Sequence, residues 1–315
     1  MRVTRLAVAV SCLVMTGSAL AGCGSSHPTG PAAGGSGKAA RPASGGDVDQ
    51  AAAVAAGPVG RNLPHTPTLD RIRGRGVLLY AGARDGVGFS QLDPTTGKIS
   101  GFDAGMAQLL AKYLLGKPSV KLGPGNNETR EALLNNDTVD VAIETYTITP
   151  ERLKIVNFAG PYYMAAGGIA VAESETAIHG VGDLSGKKVA TESGTAQQAL
   201  LKAQPKAEPV LFDTVPECVT ALAQGRVQAV TLNNASLTGN VVNHPGVKML
   251  DATFGSNPFG IGIAKKDPAF TTVVNQFLKA VEADGTWKRL YDETVGKLGG
   301  KPAPTPPAIG AVPGA

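Results

Sequence analysis

Cys23 carries the plainest chemistry in this chain. It follows Leu20-Ala21-Gly22, whose small side chains let a peptidase close on the backbone, and its thiol can be acylated. Cys12 lies upstream of that cut, so Cys218 stands alone in the rest of a chain with three cysteines. A disulfide within that remainder is excluded. Cys218 reads as a buried small hydrophobe, with a reactive thiol as the competing reading. Of the four histidines, His27 and His65 lie in or beside a Gly/Ala/Pro-rich stretch, and His179 and His244 in loop-like contexts. None suggests a triad or a metal centre. No H-E-x-x-H, C-x-x-C, nucleophile elbow or complete phosphate loop occurs. Gly186-Lys187-Lys188 lacks the first glycine and the Ser/Thr of a phosphate loop and reads as a surface turn. No catalytic residue, metal or cofactor is expected.

The segment around Cys23 defines a leader. Arg2 and Arg5 give a positive start, and Leu6–Ala21 is a short run of apolar and small residues, too short for a membrane span but suited to a secretory signal over residues 1–22. Leu20-Ala21-Gly22-Cys23 resembles the lipobox of bacterial lipoproteins. The resemblance implies lipidation of Cys23 and residence at the outer face of the cell membrane, held in the bilayer by acyl chains. An ordinary signal peptide with an incidental cysteine is the competing reading.

The 315 residues are 43% hydrophobic and 17% charged, enough to bury one or two cores. Net charge is +4, but the basic residues are scattered and not interleaved with aromatics, which argues against nucleic acid as a partner. Residues 23–66 are Gly-, Ala-, Ser- and Pro-rich and read as a disordered tether, with a transient helix near Asp47–Ala56. As a flexible coil such a tether spans roughly 35 Å. Residues 299–315 read as a second disordered tail.

Between these ends, strand and helix patterns alternate. Val77–Tyr80, Val139–Ile143, Ile169–Ala172, Lys187–Thr191, Val227–Leu232 and Phe259–Ala264 read as strands. Asp103–Leu115, Glu131–Leu134, Val219–Ala223 and Thr271–Ala283 read as helices. This alternation predicts an α/β fold with mostly parallel sheets.

Several short segments occur in a telling order. They include Gly101-Phe102-Asp103, Val139-Asp140-Val141, Tyr146-Thr147-Ile148-Thr149-Pro150-Glu151-Arg152 and Asn157-Phe158-Ala159-Gly160-Pro161-Tyr162-Tyr163. Asp183–Val189, Ser193-Gly194-Thr195, Asp284-Gly285-Thr286-Trp287 and Tyr291 continue the series. Over roughly 67–296 the chain resembles the family-3 extracellular solute-binding proteins of ABC amino-acid importers, and over Thr145–Tyr163 their glutamate-type branch. The resemblance implies a type II periplasmic-binding-protein-like fold of two lobes joined by two hinge strands. Lobe one would comprise 67–168 and 256–298, and lobe two 169–255. It implies a monomer that binds a small-molecule amino acid and delivers it to an ABC permease in the membrane.

The resemblance also implies a site. Arg152 would grip the ligand α-carboxylate with a guanidinium fork. Thr147 would add its hydroxyl and N–H, Thr145 its carbonyl, and Thr195 an N–H at a helix start. Arg130 would meet a distal carboxylate, and Arg84 would reach the cleft from the loop after the first strand. Against these stand a surface pairing for Arg152, strand-edge packing for Thr145 and Thr147, and solvated faces for Arg130 and Arg84. The family's lobe-two acids that bind the ligand ammonium are replaced here by Asn233 and Asn234. Glu144, or Glu192 beside the lobe-two turn, would have to restore that charge. The branch's second lobe-two cysteine, near Ala190, is missing, and ligand-sandwiching aromatics are not evident. A sensing lipoprotein with a drifted site, contacting a membrane partner, is the alternative to transport, and an enzyme on this fold a third reading.

Overall fold

The computed structural model describes residues 49–203, 207–242, 244–299 and 302–310. Cys23, the leader and the first part of the expected tether lie outside the described residues. In chain order come α1 (Ala51–Ala56), α2 (Pro67–Arg75), β1 (Leu78–Ala81) and a small antiparallel sheet of β2 (Asp85–Gly86), β3 (Ser90–Leu92) and β4 (Ile99–Ser100). Then follow α3 (Phe102–Leu115), β5 (Val120–Leu122), α4 (Arg130–Asn135), β6 (Val141–Ala142), α5 (Pro150–Leu153) and the long β7 (Val156–Ala172). The second half holds β8 (Lys188–Glu192), α6 (Ala196–Ala203), β9 (Glu208–Phe212), α7 (Val215–Ala223), β10 (Ala229–Asn233), α8 (Asn234–Val241) and β11 (Val247–Met249). The long β12 (Phe254–Ala264), α9 (Pro268–Ala283), α10 (Thr286–Glu293) and α11 (Val295–Gly299) close the chain.

Two parallel strand sets build the lobes, β5-β1-β6 on one side and β10-β8-β9 on the other. β7 and β12 run antiparallel to each other between them and knit both sets into one continuous hydrogen-bonded sheet. Ile169–Ala172, which reads alone as a short strand, is the far end of the 17-residue β7. The glycine-rich segments of these strands carry little apolar signal, which is why their length is hidden in the sequence.

Buried side chains segregate with the lobes. One cluster gathers α3, α9, α10 and the lobe-one halves of the long strands, while α7, α8, β10 and β11 pack a smaller one. In the first, Phe102 meets Trp287 edge-on at 5.5 Å and Tyr163 stacks on Phe259 at 5.5 Å. Trp287 Nε1 donates to the Tyr162 carbonyl at 2.9 Å. Such aromatic pairs contribute about 0.5–1.5 kcal/mol each beyond area burial, and here they clamp both crossing strands to lobe one.

The expected tether is corrected over its described part, 49–66. α1 packs against α3 and α10 with Ala53 and Val54 buried, and Leu63 is buried farther on. Small side chains suffice because they fill narrow grooves between helices. Gln50, 2% exposed, donates to the Ile99 carbonyl at 3.1 Å and accepts the Gly101 N–H at 3.3 Å. Gly101 sits at φ +124°, where a side chain would meet the Phe89 carbonyl. The expected C-terminal tail is corrected likewise over its described residues: Ala303 and Ile309 pack on the lobe-one core, and Gly310 N–H bonds the Gly160 carbonyl at 2.8 Å.

Gln50→Ala leaves the buried Gly101 N–H and the half-buried Ile99 carbonyl without this partner and is expected to lower unfolding free energy by about 1–3 kcal/mol in urea titrations. An unchanged midpoint would mean that this strap contributes nothing to the folded core.

Candidate functional site

Thr145–Arg152 is laid against the hinge strand β12. Ile148 N–H bonds the Pro258 carbonyl at 2.8 Å, Gly260 N–H bonds the Tyr146 carbonyl at 2.9 Å, and Thr147 bridges to Phe259. Thr149 caps α5, accepting the Arg152 N–H at 3.3 Å, with Pro150 at the first helical position. This single turn aims Arg152 at the seam between the lobes. Its guanidinium donates to the Thr147 carbonyl on its own side at 2.7 Å and to the Gly194 carbonyl on the other at 2.7 Å.

Arg130, from α4, reaches the same place. It donates to Asn127 Oδ1 at 2.7 Å, to the Glu144 carbonyl at 3.3 Å and to the Gly194 carbonyl at 3.4 Å. Both guanidinium carbons stand over the Tyr146 ring, Arg130 at 3.7 Å and Arg152 at 4.9 Å from its centroid. Tyr146 is fully buried and its hydroxyl donates to Glu131 Oε1 at 2.6 Å. The same Glu131 oxygen lies 3.8 Å from Arg152 Nε. Burial first, and the Arg130 charge second, lower the Arg152 guanidinium to about 10. It therefore stays charged at neutral pH.

Gly194 can approach because it lacks a side chain. It holds φ +72°, and a Cβ there would come within 2.8 Å of the Asn127 backbone. Beyond it, Thr195 donates its hydroxyl to the Glu192 carbonyl at 2.7 Å and accepts the Gln198 N–H at 3.3 Å, opening α6. Asn233 Oδ1 accepts the Ser236 N–H at 2.7 Å and so caps α8. Thr145 Oγ1 and Ser236 Oγ meet across the lobes at 3.5 Å.

Arg130, Thr145, Thr147, Arg152, Thr195 and Asn233 thus line one cavity of about 20 Å³, joined by Asn127, Glu192 and Gln197. Two expected site residues stand outside it. Glu144 lies behind Arg130, its Oε2 3.5 Å from Arg130 Nη1, and burial pushes its carboxyl up. Arg84 is exposed and ties the loop after β5, donating to the Gly123 carbonyl at 2.7 Å and to Gly125 at 3.4 Å. A residue just after a strand end can turn either way, and this one turns out.

Asp103 and Tyr146 are what residue-by-residue reading missed as site builders. Thr145 holds φ +42°, a left-handed backbone that a β-branched residue resists. Asp103 Oδ2 stabilises it by accepting the Thr145 N–H at 2.7 Å, while Oδ1 accepts the Tyr162 hydroxyl at 2.8 Å. Burial pushes the Asp103 carboxyl up to about 7 against the pull of these two bonds, and the Glu144 charge adds to the rise. Adjacency within Gly101-Phe102-Asp103 was the available signal, but its partner lies 42 residues on.

A carboxyl raised on folding favours the folded state when protonated. That contribution is complete below about pH 3.8 and is lost as pH rises through about 7. Unfolding free energy should therefore fall for this reason between pH 4 and pH 8, and more gently in Asp103→Asn. Identical slopes in paired denaturation curves would exclude Asp103 as the titrating group.

Comparison with known proteins follows the same outline. The profile of bacterial extracellular solute-binding proteins, family 3, matches residues 81–297. A glutamine-binding protein of Geobacillus stearothermophilus is 38% identical over 204 residues, 64% of this chain and 78% of that protein. The ABC transporter glutamine-binding protein GlnH of Bacillus subtilis is 29% identical over 231 residues, covering 72% and 84%. Among solved structures, a solute receptor for L-cysteine of Neisseria gonorrhoeae superposes with a TM-score of 0.70 at 28% identity, covering 74% of this chain and 95% of that one.

Proposed function

This chain belongs to the bacterial extracellular solute-binding proteins of family 3, and from that premise we propose that it captures an α-amino acid between its lobes and hands it to an ABC permease. The ligand class is glutamine or glutamate, and the names of the relatives in Geobacillus and Bacillus support glutamine. The protein acts as a monomer at the outer face of the cell membrane, anchored through lipid on Cys23.

One observation carries the reading: a charged guanidinium, Arg152, lies at the seam with its N–H groups on carbonyls of both lobes. Carbonyls are weaker partners than a carboxylate, because a carboxylate brings a full opposite charge and can meet the guanidinium fork with two parallel hydrogen bonds. A ligand carboxylate therefore displaces or shares these bonds, while the Tyr146 ring and Glu131 keep the guanidinium in place. Arg130 beside it, with Asn127 and Gln197, offers donors to a distal carboxylate or amide. Specificity between glutamate and glutamine would rest on that second arginine.

Thermal unfolding against the twenty L-amino acids tests this directly. A ligand at about 100 times its dissociation constant adds about 2.7 kcal/mol, a rise of a few degrees for a chain this size. Arg152→Ala should remove about 2–5 kcal/mol of binding and with it the shift. A variant that binds as well as wild type would move the carboxylate grip elsewhere. Silence of the wild type across the whole panel would instead favour the sensory reading. Separately, Cys23→Ser should move the protein from membrane pellet to soluble fraction. Equal pelleting would refute the lipid anchor.

A further inference from the structure

An amino acid is a zwitterion, and its ammonium needs an anion as much as its carboxylate needs Arg152. Of the residues lining the cavity, Glu192 is the one acid. Asn233 is a weak substitute: its oxygen already accepts the Ser236 N–H, and a neutral amide brings no countercharge to an ammonium.

The other acids nearby do not line the cavity. Glu131 accepts the Tyr146 hydroxyl, and Asp103 accepts Tyr162 and Thr145. Glu144 stands behind Arg130, and Asp85 belongs to β2. Glu192 sits at the last position of β8. Its carbonyl is held by the Thr195 hydroxyl, and its side chain shares the cavity with Asn127 of the opposite lobe. We propose that Glu192 is the specificity-determining residue that pairs with the ligand ammonium, selecting zwitterions over plain carboxylic acids. The assignment rests on the amino-acid reading above and names the half of the ligand which that reading left unmatched.

A proton follows from the same geometry. Facing the Glu192 carboxyl are Asp85 from β2, Glu144 from the segment after β6, Arg130 from α4 and Cys218 from α7. Burial first, then Asp85 and Glu144, push it up to about 8, against Arg130 and Asn127. At pH 7 it is mostly protonated. An arriving ammonium supplies the positive charge that favours the carboxylate, so the Glu192 O–H bond breaks and the proton leaves to buffer.

Calorimetric titration of wild type and Glu192→Gln tests this with four probes. These are L-glutamine, L-glutamate and the same acids without the α-amino group, glutaramate and glutarate. The variant is expected to weaken both amino acids on the order of tenfold to a hundredfold and the deamino acids by less than about twofold. Adding Asn233→Asp to the variant should restore part of the loss. In wild type alone, buffers of different ionisation enthalpy at pH 7 should report close to one proton released per L-glutamine or L-glutamate bound. Equal weakening of amino acids and deamino acids, unchanged amino-acid affinity, or no proton release would each overturn the assignment of Glu192 while leaving the Arg152 grip standing. Wild type that binds neither amino acid would remove the amino-acid reading and this assignment together.

Discussion

Two guanidinium groups crowded over one buried phenol ring is the constraint around which this cleft is organised. Arg130 and Arg152 repel each other, and burial strips both of solvent. The site holds them only by surrounding them with electron-rich partners: the Tyr146 face, Glu131, Glu144 and the carbonyls of Thr147 and Gly194. Each cation–π contact contributes about 0.5–2 kcal/mol, more as the site dries. Guanidinium N–H donors resting on neutral carbonyls at the seam make an anion the natural guest, and those backbone carbonyls keep the donors aimed.

The position of those carbonyls explains much of the rest. Thr147 presents its oxygen because β12 holds the segment from the other side, and Thr145 turns through a left-handed backbone only because Asp103 holds its N–H. Gly194 presents its oxygen because nothing larger than hydrogen fits against Asn127. The aromatic cluster of Phe89, Phe102, Tyr163, Phe259 and Trp287 then fixes β7 and β12 to lobe one. Beyond that cluster the long strand β7 runs into lobe two through Gly167 and Gly168, which pair with β10.

Sequence reasoning reached the α/β fold because alternating apolar periods mark strands and helices locally, and it reached the Thr145–Arg152 run because that segment resembles a family motif. It did not find Tyr146 as the platform for two arginines, because an aromatic between threonines reads as core whichever cations stand over it. Asp103 was legible as a motif member but not as a clamp on Thr145, since that partnership exists only after folding. The strap at 49–66 was misread on composition: Ala53 and Val54 look too small to hold a chain down until α3 and α10 form the groove that fits them. The Arg84 side chain turned outward for a reason no spacing encodes, the nearness of the Gly123 and Gly125 carbonyls.

The strap has a mechanical meaning. Hydrogen bonds tie residues 50–66 to lobe one and the helices built on it, through Ile99, Gly101, Gln108, Tyr113, Lys112 and Glu293. The C-terminal run likewise ends on the Gly160 carbonyl at the lobe-one end of β7. Whatever holds the beginning of this chain therefore pulls first on lobe one, and that load reaches the other half through the shared strands β7 and β12.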